Sequence, residues 1–302
     1  MDLVVEPIRA LRRRLWSIER RLTRGRPAPN GTPSARRERE REISLFLRSL
    51  DLPDASRAYV EHNMRRIVRT LALVPEPRGT GRVLELGAYM QMTPALAQVI
   101  GYSDVRGAYF GPLGTTDTKV STAGGREIFR CLVDLFDAER DAFPYEDGSF
   151  ETVLACEIVE HLLLDPMHML VEIHRVLEDG GAMVLTTPNA ASYTAVIRVL
   201  RQEGNPQLYS KYPDPSGEWR DMEVPHVREY TPDELRECVE SAGFEVEELF
   251  TEPLGTFDPT WVKELLGELG YPTDRRGELL FCVARKRAGH PITRYPTFLY
   301  DG

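Results

Sequence analysis

The chain has 302 residues, of which 42% are hydrophobic and 28% are charged, and its formal net charge is -9. This length is ample for a buried core, and no apolar run approaches the roughly 18 residues that a membrane-spanning helix requires. The N-terminus also has no apolar run of signal-peptide length followed by a small-residue cleavage site. We therefore expect a soluble, cytoplasmic protein and exclude an integral membrane protein.

The four cysteines are far apart in the sequence and form no C-x-x-C pair. This spacing argues against a zinc knuckle and against a disulfide framework. We expect each cysteine to be a small buried hydrophobic residue in a reducing compartment.

The first 42 residues are basic, whereas the rest of the chain is acidic. Residues 1–42 contain 12 arginines and 6 acidic residues, which leaves a charge of -15 on the remainder. Apolar residues at helical spacing predict a basic amphipathic helix, and RPAPNGTPS has the composition of a linker. We assign residues 1–30 to this arm and linker. The arm would dock on the body or on a second copy of the chain, with an anionic membrane surface as the alternative.

The acidic body is a poor platform for nucleic acid, which we do not expect as a partner.

Two further helices precede the main domain. ARREREREISLFLRSL and ASRAYVEHNMRRIVRTLAL both carry apolar stripes, and the helix-breaking sequence DLPD separates them. We interpret residues 31–78 as a helical lid. The expected main domain covers residues 79–290 with an insertion at 202–230, and residues 291–302 form a C-terminal tail.

From RVLEL onward, short β-rich runs alternate with helical segments. Such alternation is typical of βαβ units, which build a parallel sheet with helices on both faces. The runs FEVEELF and ELLFCVAR close the pattern and predict an antiparallel hairpin. The sequence thus predicts an α/β, three-layer αβα sandwich with a seven-stranded, mostly parallel sheet. We expect the segment GPLGTTDTKVSTAGGREI, after the second strand, to be flexible. The predicted strands cover residues 82–86, 105–110, 129–133, 152–156, 182–187, 244–250 and 278–285.

Two stretches at predicted strand ends carry the signal for a site, because ligands of open α/β sheets bind beyond the carboxyl ends of the strands. In VLELGAYMQMTPALA, Glu85 lies near the end of the strand and Gly87 opens the turn. Residues 137–189 then offer an acidic-Ala loop, an Asp-Gly-Ser-Phe entry to a strand, Glu-His-Leu, a helix ending Arg-Val-Leu, a Gly-Gly turn and Thr-Pro-Asn. In this order, the features resemble the class I S-adenosylmethionine-dependent methyltransferases (type 11-like), which have a Rossmann-like fold.

The resemblance implies that S-adenosylmethionine is the cofactor. Gly87 would let the backbone approach its methionine part, while Asp137 and Ala138 would meet the adenine edge. Cys156 and Glu157 would line the far side. The predicted cofactor-binding residues are Glu85, Gly87, Ala88, Tyr89, Asp137, Ala138, Cys156 and Glu157.

Two features depart from the pattern of the family. Tyr89 and Gln91 stand where the loop of relatives continues with glycines, which permit close approach and positive φ. Tyr109 and Phe110 end the second strand, where relatives commonly carry a carboxylate that grips the ribose hydroxyls. Either the loop is rebuilt, with Glu85 or another carboxylate on the ribose, or the protein has kept the fold and lost the cofactor.

A metal site is a further hypothesis. Glu157, Glu160 and His161 have i, i+3, i+4 spacing, and His226 precedes a later helix. This E-x-x-E-H…H pattern is similar to the ubiquinone-pathway O-methyltransferases and to the enzymes that methylate the terminal ribose of small RNAs. The resemblance implies a divalent ion, magnesium or manganese, though zinc could also bind. If no metal binds, His161 is the candidate general base, because an imidazole titrates near neutral pH.

The leading functional hypothesis is O-methylation of a sugar, a polysaccharide-linked or a natural-product acceptor. Four aromatic residues in or next to the insertion could stack on such an acceptor or cover the core: Tyr209, Tyr212, Trp219 and Tyr230. A catalytically inactive binding or assembly protein is the alternative from another class, and an RNA ribose methyltransferase is the third hypothesis.

Overall fold

The computed structural model describes residues 33–209, 225–256, 258–289, 292–293 and 295–300. The predicted arm at residues 1–30 and part of the insertion at 202–230 lie outside these ranges. The helices are α1 (Pro33–Ser49), α2 (Asp54–Leu73), α3 (Thr93–Ala95, continued by the π-helix Leu96–Ile100), α4 (Pro166–Val176), α5 (Tyr193–Arg201), α6 (Pro232–Ser241) and α7 (Thr260–Glu268). The strands are β1 (Arg82–Leu86), β2 (Asp104–Tyr109), β3 (Thr115–Ala123), β4 (Arg126–Leu135), β5 (Phe150–Cys156), β6 (Leu177–Pro188), β7 (Phe244–Glu252) and β8 (Leu279–Lys286).

One sheet contains the eight strands, in the order β3-β4-β2-β1-β5-β6-β8-β7. The five strands from β4 to β6 in this order run parallel, and β8 is antiparallel to both β6 and β7. Central strands such as β5 are buried along nearly their whole length, as expected for a parallel sheet covered on both faces. The α/β fold class and the C-terminal antiparallel hairpin are confirmed.

The predicted number of seven strands is wrong, because β3 lies in the segment that we expected to be flexible. It pairs antiparallel with β4, from Thr115 opposite Leu135 to Ala123 opposite Arg126. Gly124 and Gly125 form the turn with φ values of 56° and 73°, which a two-residue hairpin requires. Most of β3 is exposed, since it is the edge strand. It therefore shows no apolar periodicity that the sequence could reveal.

Helices bury apolar side chains against both faces of the sheet. On one face, α1 contributes Ile43 and Leu47 and α2 contributes Ile67 and Leu71. The other face is covered by α4 and α6, whose core residues include Leu170, Ile173, Leu235 and Val239. Each fully buried leucine or isoleucine stabilises the fold by about 1.5–3 kcal/mol relative to an exposed one. The two helices predicted as a lid thus form part of one layer of the sandwich.

Glu151 fastens the connection between α2 and β1 at the amino edge of the sheet. Its carboxylate accepts backbone hydrogen bonds from Arg78, Gly79 and Gly81 at 2.8, 2.7 and 2.6 Å. This connection fixes the start of β1, and the parallel strands β1, β2, β5 and β6 then end at the opposite, carboxyl edge. Among the described helices, none has the length and apolarity to cross a membrane.

Candidate functional site

The loop after β1 is rebuilt around two left-handed residues. Gly87 has φ +67°, and a Cβ added there would lie 3.3 Å from Cδ1 of Ile158. Met90 has φ 66°, so the second left-handed position is neither Tyr89 nor Gln91. The Met90 side chain packs against Cys131 and Val133. The amide of Ala88 donates to the carbonyl of Ala108 at 3.0 Å and fastens the loop to β2.

Tyr89 and Tyr109, one residue from each of the two departures from the family pattern, are in contact. Their ring centroids lie 4.9 Å apart in an edge-to-face arrangement. The Tyr109 hydroxyl donates to the Tyr89 hydroxyl at 2.7 Å. Tyr89 is 64% exposed, so its ring points toward solvent and is not packed into the core.

Glu85 is a buried acid beneath this loop. The residue is only 2% exposed, and its Oε2 has no hydrogen-bond partner among the residues that the structure describes. Burial raises the pKa of Glu85 to about 7, because a charged carboxylate loses its solvation there. The carboxyl group therefore changes its charge near neutral pH.

Asp137 and Ala138 follow β4 at the carboxyl edge, in a loop closed by its own hydrogen bonds. Asp137 accepts from the amide of Glu139 at 2.9 Å, and its own amide donates to Asp141 at 2.8 Å. The Glu139 carboxylate accepts from the amides of Leu164 and Asp165. Both residues predicted to meet the adenine are half-buried, and Glu139 ties their loop to the start of α4.

Cys156 and Glu157 mark the end of β5. Burial raises the pKa of the Cys156 thiol to about 12, so this side chain is neutral at pH 7. Glu157 has φ 55°, and its Oε1 accepts from the Thr186 hydroxyl at 2.8 Å. The spacing of Glu157, Glu160 and His161 would place the three side chains on one helical face if a helix began at the end of β5, but a 3₁₀ helix starts only at Val159.

Arg66 is a site residue that the sequence analysis missed. It comes from α2, is 6% exposed, and donates to the Tyr59 hydroxyl at 2.5 Å. Its Nη1 lies 3.7 Å from Glu157 Oε1. Burial alone would lower the pKa of Arg66, but the nearby Glu157 and Tyr59 outweigh it and raise the pKa. The sequence did contain a signal for it, because Arg66 lies within the apolar stripe of its helix, where a charged residue is unusual.

Glu160, His161 and His226 form a compact cluster in which one potential ligand atom from each residue lies within 4.8 Å of the others. The two imidazole rings are edge-to-face with centroids 4.6 Å apart. The carbonyl of Glu160 accepts from the amide of Val227 at 2.7 Å, which brings the segment of His226 to the 3₁₀ helix. Glu157, the fourth predicted metal ligand, is not a member of this cluster.

The Glu160 carboxyl group is fully buried and only half satisfied. Its Oε2 accepts from the Thr187 hydroxyl at 2.8 Å, whereas Oε1 lacks a hydrogen-bond partner within the described ranges. Burial, together with the nearby Glu157, raises the pKa of Glu160. An unpaired buried oxygen beside two imidazoles is an arrangement that fits a bound cation.

Glu229 joins the two described parts of the insertion, residues 202–209 and 225–230. Its carboxylate accepts from the amides of Leu208 and Tyr209 at 2.7 and 2.9 Å. The same carboxylate lies 3.1 Å from Nδ1 of His226, and the Tyr209 ring is 4.8 Å from the His226 ring. Tyr209 therefore borders the cluster.

Tyr230 is 1% exposed and belongs to the core, so it cannot stack on an acceptor. Tyr212 and Trp219 lie outside the described residues.

The C-terminal tail folds back on the body, where the Tyr300 hydroxyl donates to Asp165 at 2.5 Å. The guanidinium of Arg228 lies 5.5 Å from the centroid of Phe298, so the tail also contacts the segment that carries His226.

Comparisons with known proteins agree with this architecture. A family model described as a methyltransferase domain matches residues 56–249, which include most of α2 and the candidate site residues from Tyr59 to Tyr230. A probable S-adenosylmethionine-dependent methyltransferase of Mycolicibacterium smegmatis is 29% identical over 133 residues, which span 44% of this chain and 42% of the relative.

A chain in the complex between the Haloferax volcanii Trm112 methyltransferase activator and a methyltransferase has a similar fold. The TM-score is 0.50 at 18% identity, with 82% of this chain and 98% of that chain covered. The resemblance to the class I S-adenosylmethionine-dependent methyltransferases is thereby confirmed, and the chain belongs to the methyltransferase domain family.

Proposed function

We propose that this protein transfers a methyl group from S-adenosylmethionine to an acceptor that enters at the carboxyl edge of the sheet. The observation that carries the proposal is the family match over residues 56–249. This range includes the loop of Gly87, the loop of Asp137 and the end of β5, three places where a nucleoside cofactor contacts this kind of sheet.

The residues present fit the cofactor. The absence of a side chain at Gly87, whose φ is +67°, lets the backbone approach the methionine part. Glu85 lies beneath the loop, and Asp137 with Ala138 offers a half-buried edge for the adenine. When bound, S-adenosylmethionine supplies an electrophilic methyl group on sulfur. The protein then has to position the acceptor in line and to remove one proton.

When no cation is bound, His161 is the proposed general base. It follows β5 at the carboxyl edge and is half-buried, and an unperturbed imidazole can accept a proton near pH 7. An acceptor hydroxyl fits this role, because its proton must leave as the oxygen is methylated. We propose a sugar, polysaccharide-linked or natural-product hydroxyl, with Tyr209 beside it as a stacking surface. The net charge of -9 favours such an acceptor over RNA.

We also propose that Glu160, His161 and His226 hold a divalent cation that positions the acceptor. The support is their mutual distance of no more than 4.8 Å and the unpaired Oε1 of Glu160. Two imidazoles and one carboxylate suit manganese or zinc better than magnesium, which prefers oxygen ligands. A bound cation would also lower the pKa of an acceptor hydroxyl.

The proposal is tested by calorimetry of the full chain with S-adenosylmethionine and with S-adenosylhomocysteine. We expect both to bind, and we expect Gly87→Ala to weaken binding. Gly148→Ala is the matched control, because Gly148 has nearly the same φ of +68° and precedes β5 at the opposite edge. A second arm measures the transfer of labelled methyl groups to sugar and polyphenol acceptors.

The alternative is a methyltransferase-fold protein without turnover. It is favoured by Tyr89 and Gln91 in place of loop glycines and by Tyr109 in place of the ribose carboxylate. Binding of neither compound to the wild-type chain would support that alternative and contradict the proposed activity. Equal weakening by Gly87→Ala and Gly148→Ala would instead show a general effect of backbone strain.

A further inference from the structure

The carboxyl edge of the sheet carries two tyrosine hydroxyl groups near the end of β2, where the family pattern has a carboxylate. Tyr109 is the last residue of β2, the strand next to β1. Tyr89 lies in the loop that follows β1. Both side chains therefore stand at the carboxyl edge, where the ribose of a nucleoside cofactor is held in this class of sheet.

The two tyrosines are held in a fixed arrangement before any ligand arrives. Their rings pack edge-to-face at 4.9 Å with an interplanar angle of 82°, a geometry that is worth about 0.5–1.5 kcal/mol beyond area burial. The hydrogen bond from Ala88 to Ala108 at 3.0 Å joins the backbones that carry them. Their hydroxyls are 2.7 Å apart. The pair is thus preorganised, and it is accessible, since Tyr109 is 37% and Tyr89 is 64% exposed.

Other acids near β2 do not offer a replacement for the carboxylate. Asp134, on the neighbouring strand β4, accepts from the Thr116 and Tyr145 hydroxyls at 2.8 and 2.9 Å, and Arg106 lies 3.3 Å away. Glu85 is 2% exposed beneath the loop. In contrast with these two acids, Tyr109 and Tyr89 are 37% and 64% exposed at the carboxyl edge.

We infer that the hydroxyls of Tyr109 and Tyr89 together bind the vicinal diol of the cofactor ribose in place of a carboxylate. A phenol hydroxyl both donates and accepts a hydrogen bond, whereas a carboxylate only accepts. Two linked phenols can therefore complement two adjacent hydroxyls. The inference rests on the proposed function. It gives the two departures from the family pattern a single role, which is to bind the ribose.

The test measures binding, not turnover, by calorimetry with S-adenosylhomocysteine and its 2′,3′-dideoxy analogue. We expect the wild-type chain to prefer S-adenosylhomocysteine. Tyr109→Phe and Tyr89→Phe should each lower that affinity by about 3- to 10-fold, the value of one neutral hydrogen bond. The same variants should leave the affinity for the dideoxy analogue nearly unchanged. Tyr271→Phe, at a 47% exposed tyrosine after α7, is the matched control.

Four outcomes decide the inference. Loss of the preference for the ribose diol in the two Phe variants, but not in the control, supports it. Unchanged S-adenosylhomocysteine affinity in both variants overturns it, as does a preference that disappears only in Glu85→Gln. Failure of the wild-type chain to bind S-adenosylmethionine or S-adenosylhomocysteine would overturn the proposed function itself, and the inference would fall with it.

Discussion

The imidazole ring of His226 lies edge-on to that of His161, with centroids 4.6 Å apart, although one precedes α6 and the other ends a 3₁₀ helix after β5. The backbone bond from Val227 to Glu160 holds the two segments together. Their approach creates a three-residue cluster with Glu160 from residues that are distant in the sequence.

If this cluster holds a cation, His226→Ala should lower the affinity for Mn²⁺ or Zn²⁺ by at least about tenfold, because one of three ligands is lost. Equilibrium dialysis followed by elemental analysis measures this directly. His62→Ala is the control, since His62 is exposed on α2. Equal metal binding in wild type and both variants would return the cluster to a structural role.

Glu85 predicts a pH dependence of stability. Its folded-state pKa of about 7 lies above the unfolded value of 4.5, so the folded state holds this proton more tightly. The free energy of unfolding should therefore fall as the pH rises from 4.5 to 7, by about 3 kcal/mol from this group alone. Glu85→Gln removes that decline, and urea denaturation of both chains at pH 4.5 and pH 8 measures it. An unchanged pH profile in the variant would contradict the assignment.

Arg66 and Glu157 should be energetically coupled. Arg66 is nearly buried, and removal of one partner leaves the other charge poorly solvated. In a double-mutant cycle with Arg66→Met and Glu157→Gln, we expect a coupling free energy of about 1–2 kcal/mol from urea denaturation. The exposed pair of Arg130 and Glu127, 2.8 Å apart, provides a control cycle in which we expect at most about 0.5 kcal/mol. Similar values in both cycles would argue against a special role for Arg66.

Glu151 should stabilise the fold at neutral pH and lose this effect in acid. Burial alone would raise its pKa, but the amides of Arg78, Gly81 and Gly79 outweigh burial and lower it. Its contribution is therefore present above the unfolded pKa and disappears as the pH falls through the folded pKa.

We expect Glu151→Gln to cost about 1–3 kcal/mol at pH 7 and less at pH 3, measured by chemical denaturation. The exposed Glu146 offers the matched variant Glu146→Gln, which should change stability little at either pH. A Glu151→Gln penalty that grows in acid would have the wrong sign for this interpretation.

Apolar patterns in the sequence predicted the parts of the fold that are buried. The bounds of α1 and α2 lie within two residues of the predicted helices, and a helical element follows each of β1, β5 and β6 as expected, whereas no helix separates β2, β3, β4 and β5 in the described chain. The edge strand β3 was not predicted, because both of its faces are largely exposed and its residues show no apolar period.

Local conformation and long-range contacts account for the other differences in the site. Met90 and Glu157 have left-handed backbone conformations. Methionine and glutamate rarely adopt this conformation, so the sequence gives no sign of it. The sequence left open whether Tyr230 stacks on an acceptor or covers the core, and its burial makes it a core residue. Side-chain pairs such as Tyr89 with Tyr109 join separate elements, and a single sequence does not reveal which distant residues meet.

The placement of Arg66 on α2 affects where this protein can be cut. A fragment starting at residue 79 would keep the eight strands, but it would lack Arg66 and Tyr59 and would expose the core side chains that α1 and α2 cover. The family match also begins at residue 56, inside α2. The smallest autonomous unit therefore starts before the first strand, and domain-swap or shuffling experiments should carry these two helices along.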